Sequence, residues 1–305
     1  MNRLLLFLFL SVVALRAVPL RAEENASQAV KIRAALSKNN KRVSGVATWT
    51  IRNNTQNPLR EIPFWLYANR FENSGEGIAE HERQWLYPSG NSRGALNIAQ
   101  VSVGSQKVAP GALRFDPMPD GGTPSDAKRM IVKVPLREPL MPGAQIEVAL
   151  TFDTIIPKRR GRFGRFHDAV TLADGWYPRP LADLSGVHTR LPFVPVAADV
   201  EVSVPAGRSA VLVDQFLLSE SAERIIRYRS SRADELLLVT MPFSEVHRAQ
   251  ANGADVTLVT EPQSGTFNYS DRILRVFDQV LLQLHTLWPG FRADATIVIV
   301  ELPAW

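Results

Sequence analysis

The residues best able to do chemistry in this 305-residue chain fall just short of known constellations. His81-Glu82-Arg83-Gln84-Trp85 opens like the HExxH helix motif, which works because two imidazoles one helical turn apart face the same zinc ion. Trp85 stands where the second imidazole is required, so this segment forms no zinc site. The five histidines, His81, His167, His188, His247 and His285, include no pair at metal-ligand spacing. No P-loop or strand-following G-x-G-x-x-G occurs, so the common phosphate-cradle chemistries lack their motifs. Cysteine is absent, which excludes thiol chemistry and disulfides.

Two groupings remain. Asp168, Asp174 and Asp183 flank Trp176-Tyr177-Pro178; such acids line a cleft or cap turns, and the sequence leaves both open. Residues 157–166 carry five cations, Lys158, Arg159, Arg160, Arg162 and Arg165, between the turn points Gly161 and Gly164. This stretch is either a polar connector or a grip for phosphates, anionic lipid or an acidic partner. With Trp65, Tyr67, Trp85 and Tyr87 it would make a non-enzymatic module binding a peptide or envelope partner, unless those aromatics are core. The net charge of +5 comes from 28 Arg against 7 Lys scattered along the chain, which disfavours nucleic acid as a partner. Asn25, Asn53 and Asn268 head glycosylation sequons, relevant only in a host that glycosylates exported proteins.

The elements that would position these residues read as mainly β. Arg3 followed by the apolar run Leu4–Leu15, closed by Arg16, Pro19 and Arg21, is a secretory signal peptide over residues 1–22. The mature chain is therefore expected to be exported, periplasmic or extracellular, with no transmembrane span after cleavage. From about 43 to 240 the apolar period is two: Ala47, Trp49 and Ile51; Ile146, Val148, Leu150 and Phe152; Val200, Val202 and Val204. Each run buries one face, as antiparallel strands do. With 21 Pro and 18 Gly punctuating short runs, residues 23–254 are expected to form a large antiparallel β-sandwich or saddle. Ile62–Phe71 suits a strand covered on both faces, and the polar, Gly-rich residues 72–94 an excursion or lid-like loop.

Near the end the period changes. Val256–Thr260 is a short strand, and Ile273, Val276, Phe277, Val280, Leu281, Leu284 and Leu287 recur at helical spacing. Ser270 is the expected N-cap, Trp288-Pro289-Gly290 the stop, and Ala295–Val300 a buried strand. Residues 255–305 thus read as the opening βαβ of an incomplete α/β domain, whose helix stripe and last strand would face water in this chain alone.

Taken together, these features resemble the N-terminal region of the aminopeptidase N family, zinc gluzincins that cleave single residues from peptide N-termini. Gly45-Val46-Ala47-Thr48-Trp49-Thr50-Ile51-Arg52-Asn53-Asn54-Thr55, then Leu59 and Ile62-Pro63-Phe64-Trp65-Leu66-Tyr67-Ala68-Asn69, is similar to that family's first long strand, its N-N-S/T turn and the next strand. Gly175-Trp176-Tyr177-Pro178 looks like its aromatic-Pro signature near the cleft, and Val200–Gly207 like the strand and turn that follow. The resemblance spans roughly residues 40–301 in short motifs. It implies a β-saddle preceding a thermolysin-like domain, peptides as partners, and zinc as cofactor only where a catalytic domain follows. The G-x-M-E-N strand, HExxH with its distal Glu, and the oxyanion Tyr do not occur here, so no catalytic residue and no metal ligand is assigned. Among substrate-binding candidates, His167 and Asp168 lie at a similar distance before Pro178 as the family's amine-binding Gln or Glu, and Trp176 and Tyr177 belong to the signature itself.

Overall fold

The computed structural model describes residues 28–72, 78–90, 92–116, 129–173, 175–181, 195–218, 220–251, 253–260, 269–287 and 296–300. The first half supplies β1 (Gln28–Leu36), β2 (Arg42–Arg52), β3 (Leu59–Trp65), α1 (Glu80–Leu86), β4 (Ala95–Val103), β5 (Gln106–Val108), β6 (Arg114–Asp116), β7 (Ile131–Leu140) and β8 (Gln145–Ile155). There follow β9 (Phe163–Phe166), β10 (Ala169–Leu172), β11 (Arg179–Pro180), β12 (Val196–Ser203), β13 (Ser209–Leu212), β14 (Gln215–Leu217), β15 (Ile225–Ala233) and β16 (Leu238–Met241). The last elements are β17 (Glu245–Ala251), β18 (Ala254–Thr260), α2 (Tyr269–Leu287) and β19 (Thr296–Val300). The signal-peptide region, Asn25, Asp174, Asp183, His188 and Asn268 lie outside the described residues.

The fold is mainly β, in several sheets, as the period of two requires. Two compact units divide the chain, Glu23–Pro242 and Phe243–Trp305. In the first, a seven-stranded sheet runs β15-β12-β1-β2-β8-β4-β5, a five-stranded sheet β14-β13-β16-β10-β9, and a four-stranded sheet β11-β3-β7-β6. Only the β1–β12 pair of the large sheet is parallel. Its register aligns Tyr228, Val200, Ile32, Ala47, Leu150 and Val101 in one row across six strands, every one buried. A larger apolar side chain buried in this way contributes about 1.5–3 kcal/mol. The three sheets share one core, from Val30 to Leu238.

The outer face of the same strands carries an ion ladder: Arg33 to Asp199 (3.0 Å) and Glu201 (3.3 Å), Arg229 to Asp199 (3.1 Å), and Arg227 to Glu201 (3.6 Å) and Glu223. Partial burial pushes the Asp199 carboxyl up, but hydrogen bonds and charge from Arg33 and then Arg229 leave it below the usual range. A carboxyl depressed in the folded state stabilises above its unfolded pKa of about 4 and loses that contribution as pH falls. The ladder is half-exposed and screened. Asp199→Asn is therefore expected to cost about 1 kcal/mol or less at pH 7 and to flatten the acid limb of a melting-temperature profile.

Ile62, Pro63, Phe64 and Trp65 are all buried, as a strand covered on both faces demands. The strand stops sooner than the apolar pattern does. The Leu66 N–H bonds the Met130 carbonyl, and Tyr67–Phe71 then turns into a 3₁₀ segment. Buried Asn69 fixes that turn, donating to the Arg129 carbonyl (2.7 Å) and accepting from the Leu96 N–H (2.6 Å). The excursion after it contains α1, a helix with no buried residue, which is why apolar periodicity gave no sign of it. Asn53, the head of a sequon, is 1% exposed and donates to the carbonyls of Asn57 and Leu140. Its amide is committed to a turn and closed to modification in the folded protein.

In the second unit β17 pairs with β18 from Glu245↔Thr260 to Ala251↔Ala254, and β18 pairs in parallel with β19 across α2. The hairpin thus extends this unit upstream of the strand–helix–strand read from sequence. α2 begins at Tyr269, so Ser270 sits inside its first turn, 3% exposed, rather than at the N-cap. The stripe expected to face water divides: its Phe277 and Leu281, joined by Leu274, lie with Ala251, Ala254, Val256 and Ile297 in one apolar cluster. The other members of the same pattern are exposed, Val276 at 46%, Val280 at 42% and Leu287 at 82%.

Candidate functional site

Residues 175–181 lead into β11 of the four-stranded sheet, downstream of β10 in the five-stranded one, and the described residues of the crossing are bonded at several points. The Ala173 N–H reaches the Arg162 carbonyl (2.7 Å), and the Leu181 N–H the Pro63 carbonyl (3.0 Å). The Thr154 hydroxyl donates to the Trp176 carbonyl (2.8 Å), and the Trp49 indole to the Pro178 carbonyl (2.9 Å). The Trp176 indole donates to the Leu236 carbonyl (2.7 Å). Trp176 and Tyr177, at 0% and 1% exposure, pack edge-to-face at 5.0 Å, with Trp49 stacked on Tyr177 at 6.2 Å. Buried polar atoms here are satisfied, so the aromatics hold the segment and stay out of solvent's reach. Gly175 makes the entry possible. Its φ is 82°, and a Cβ there would lie 2.5 Å from the Tyr67 Cβ.

His167 and Asp168 form the two-residue turn of the β9–β10 hairpin, both exposed. His167 takes φ 48°, a left-handed conformation that histidine visits more readily than most residues. Buried Arg208 secures the turn from below by donating to the Asp168 carbonyl and to Thr240. Burial lowers its pKa, with the Asp168 charge opposing. Nothing in the sequence marks Arg208 for this task, since its partners lie 40 and 32 residues away. The structure therefore pairs His167 with Asp168 at a tip and Trp176 with Tyr177 in the core. The four are not brought together around one cavity. A small cavity of about 50 Å³, lined in part by Pro205, Gly207, Arg208, Leu218 and Arg224, has room for little beyond water.

The cationic loop before β9 is partly interior. The Arg159 guanidinium lies over Phe71 (4.7 Å) and Tyr87 (5.5 Å) and donates to the Phe163 carbonyl (3.1 Å). Burial pushes its pKa down and that of Tyr87 up. Tyr67, Phe71 and Phe163 complete the aromatic box, with ring centroids 5.2–5.4 Å apart. Trp65, Tyr67 and Tyr87 are thus core or near-core, and only Trp85, at 41% exposure, remains at the surface. Arg159→Ala would remove a cation–aromatic contact on two rings and is expected to lower stability by about 2 kcal/mol, readable by thermal melting with Arg162→Ala as the exposed control.

Zinc is the metal that the resemblance implies, and its donors do not assemble among the described residues. Among the described residues no three of His, Cys, Asp or Glu are grouped to hold a metal ion. His81 and Trp85 do share the helix α1, but an indole cannot ligate. No described helix is long and apolar enough to cross a membrane.

No protein-family profile and no curated protein matches the chain. Among solved structures it is similar to an M1 zinc metallopeptidase from Deinococcus radiodurans bound to a Tyr-Ser-Ala substrate, at TM-score 0.53 and 16% identity. A second structure of the M1 zinc metallopeptidase from that organism gives 0.52 and 14%. A two-domain M1 zinc metallopeptidase bound to L-tryptophan gives 0.50 and 15%. Each match covers 92% of this chain and 57–58% of the other. At such identities the likeness is one of fold, and this chain spans little more than half the length of the solved ones.

Proposed function

We propose that this chain is the N-terminal, non-catalytic region of an exported aminopeptidase-like zinc metalloprotein, with peptide hydrolysis confined to a downstream HExxH domain where one exists. The supporting observation is the fold likeness to M1 zinc metallopeptidases over 92% of this chain and 57% of theirs. In this reading Trp176 and Tyr177 brace the crossing segment, and the His167–Asp168 turn is the exposed candidate for contacting a peptide amine. The purified protein is expected to carry no stoichiometric zinc and to release no amino acid from peptide substrates. Metal analysis and an aminopeptidase assay check this. Tightly bound zinc, or turnover abolished by a chelator, would sink the reading.

A further inference from the structure

We propose that the surface joining α1 to the 158–165 loop is a docking face for anionic lipid headgroups. Many cations elsewhere in this protein lie beside carboxylates, among them Arg33, Arg227 and Arg229 in the ladder, Lys133 with Asp116 and Glu61, Arg42 with Asp153, and Arg162 with Glu235; others, such as Lys31, Arg52 and Arg60, stand exposed on three separate strands. Among the described residues, Lys158, Arg165 and exposed Arg70 have no carboxylate within ion-pair reach. Unmatched donors in a cationic cluster mark a place where an acceptor is missing.

The cluster is contiguous. Lys158 pairs with Arg165 as a β-bridge, the Arg160 N–H bonds the Leu86 carbonyl at the end of α1 (2.8 Å), and the Lys158 N–H bonds the Ser92 hydroxyl (2.7 Å). The Arg160 guanidinium lies over Phe166 (4.5 Å), whose ring abuts His167 (4.3 Å). Beside them sits Trp85, 41% exposed on a helix that buries nothing. Several cations within eight residues, next to one surface indole, match a headgroup layer: guanidinium and ammonium groups meet phosphates, and the indole seats at the polar–apolar boundary. A nucleic acid would call for a longer cationic track with repeated stacking rings. An acidic peptide would exploit the charge but leave the indole unused.

The test is flotation with vesicles of phosphatidylcholine alone or mixed with phosphatidylglycerol, comparing two variants that lose equal charge. One is Lys158→Gln, Arg160→Gln and Arg165→Gln. The other is Lys31→Gln, Arg52→Gln and Arg60→Gln, at exposed sites on β1, β2 and β3. Binding is expected only with phosphatidylglycerol and is expected to weaken about a hundredfold in the loop variant, from roughly fivefold per charge. The other variant should bind nearly as the parent does. Trp85→Phe should remove a vesicle-induced blue shift of tryptophan emission without changing the melting temperature. Equal weakening in the two triple variants would reduce the effect to net charge and overturn the proposal. So would capture of polyglutamate or of inorganic phosphate without vesicle binding.

Discussion

Trp176→Ala is expected to unfold this protein or to leave it only marginally folded. The side chain is fully buried, and truncating such an indole costs about 3–5 kcal/mol through lost transfer energy and the cavity left behind. Two further losses compound it. The Leu236 carbonyl loses its donor, and Phe152 and Tyr177 lose the ring packed against them at 6.4 and 5.0 Å. Against a typical total of about 5–15 kcal/mol, one substitution then removes a third or more of the stability. Trp176→Phe separates the terms. It keeps most of the volume and deletes the indole N–H, so a loss of about 1–2 kcal/mol is expected in denaturant melts. A Trp176→Ala protein within 1 kcal/mol of the parent would show that the crossing segment is not what ties the sheets together. Gly175→Ala should act at the same place by another route, since its Cβ meets Tyr67 and its φ suits glycine.

The strands were legible because burial on one face writes itself as alternation. Ala47, Trp49 and Ile51 are 0% exposed, as their spacing requires. The inner face of α2 was half legible. Its apolar residues follow two interleaved stripes, and composition alone does not say which one meets the sheet. α1 was not legible, since a seven-residue helix that buries nothing leaves no apolar period. The aromatic-Pro segment drew attention for its residue types. Whether Trp176 lines a cleft or fills a core is decided by Thr154, Trp49 and Leu236, partners 22 to 129 residues away from the segment. The same holds for the basic loop. Alternation within it does not reveal that Arg159 turns inward between Phe71 and Tyr87 while Arg162 pairs with Glu235.

Ending the chain after Pro242 is expected to leave the first unit folded and to make the protein less prone to associate. The core of that unit, from Val30 to Leu238, contains no residue beyond the cut. The deletion removes Val276, Val280, Leu282 and Leu287, exposed at 46%, 42%, 53% and 82%, apolar surface of the kind that drives non-specific contact on soluble monomers. A cut near Gly253 should behave worse, although it also removes α2. It keeps β17 and deletes β18, the partner along its whole length, so seven residues of backbone donors and acceptors become an open edge. Light scattering should therefore rank association as cut after 253 above full chain above cut after 242, with cooperative melting retained by the shortest chain. Loss of cooperative melting after the 242 cut would mean that β17 to β19 complete the core of the first unit, and the division of the chain into two units would fail.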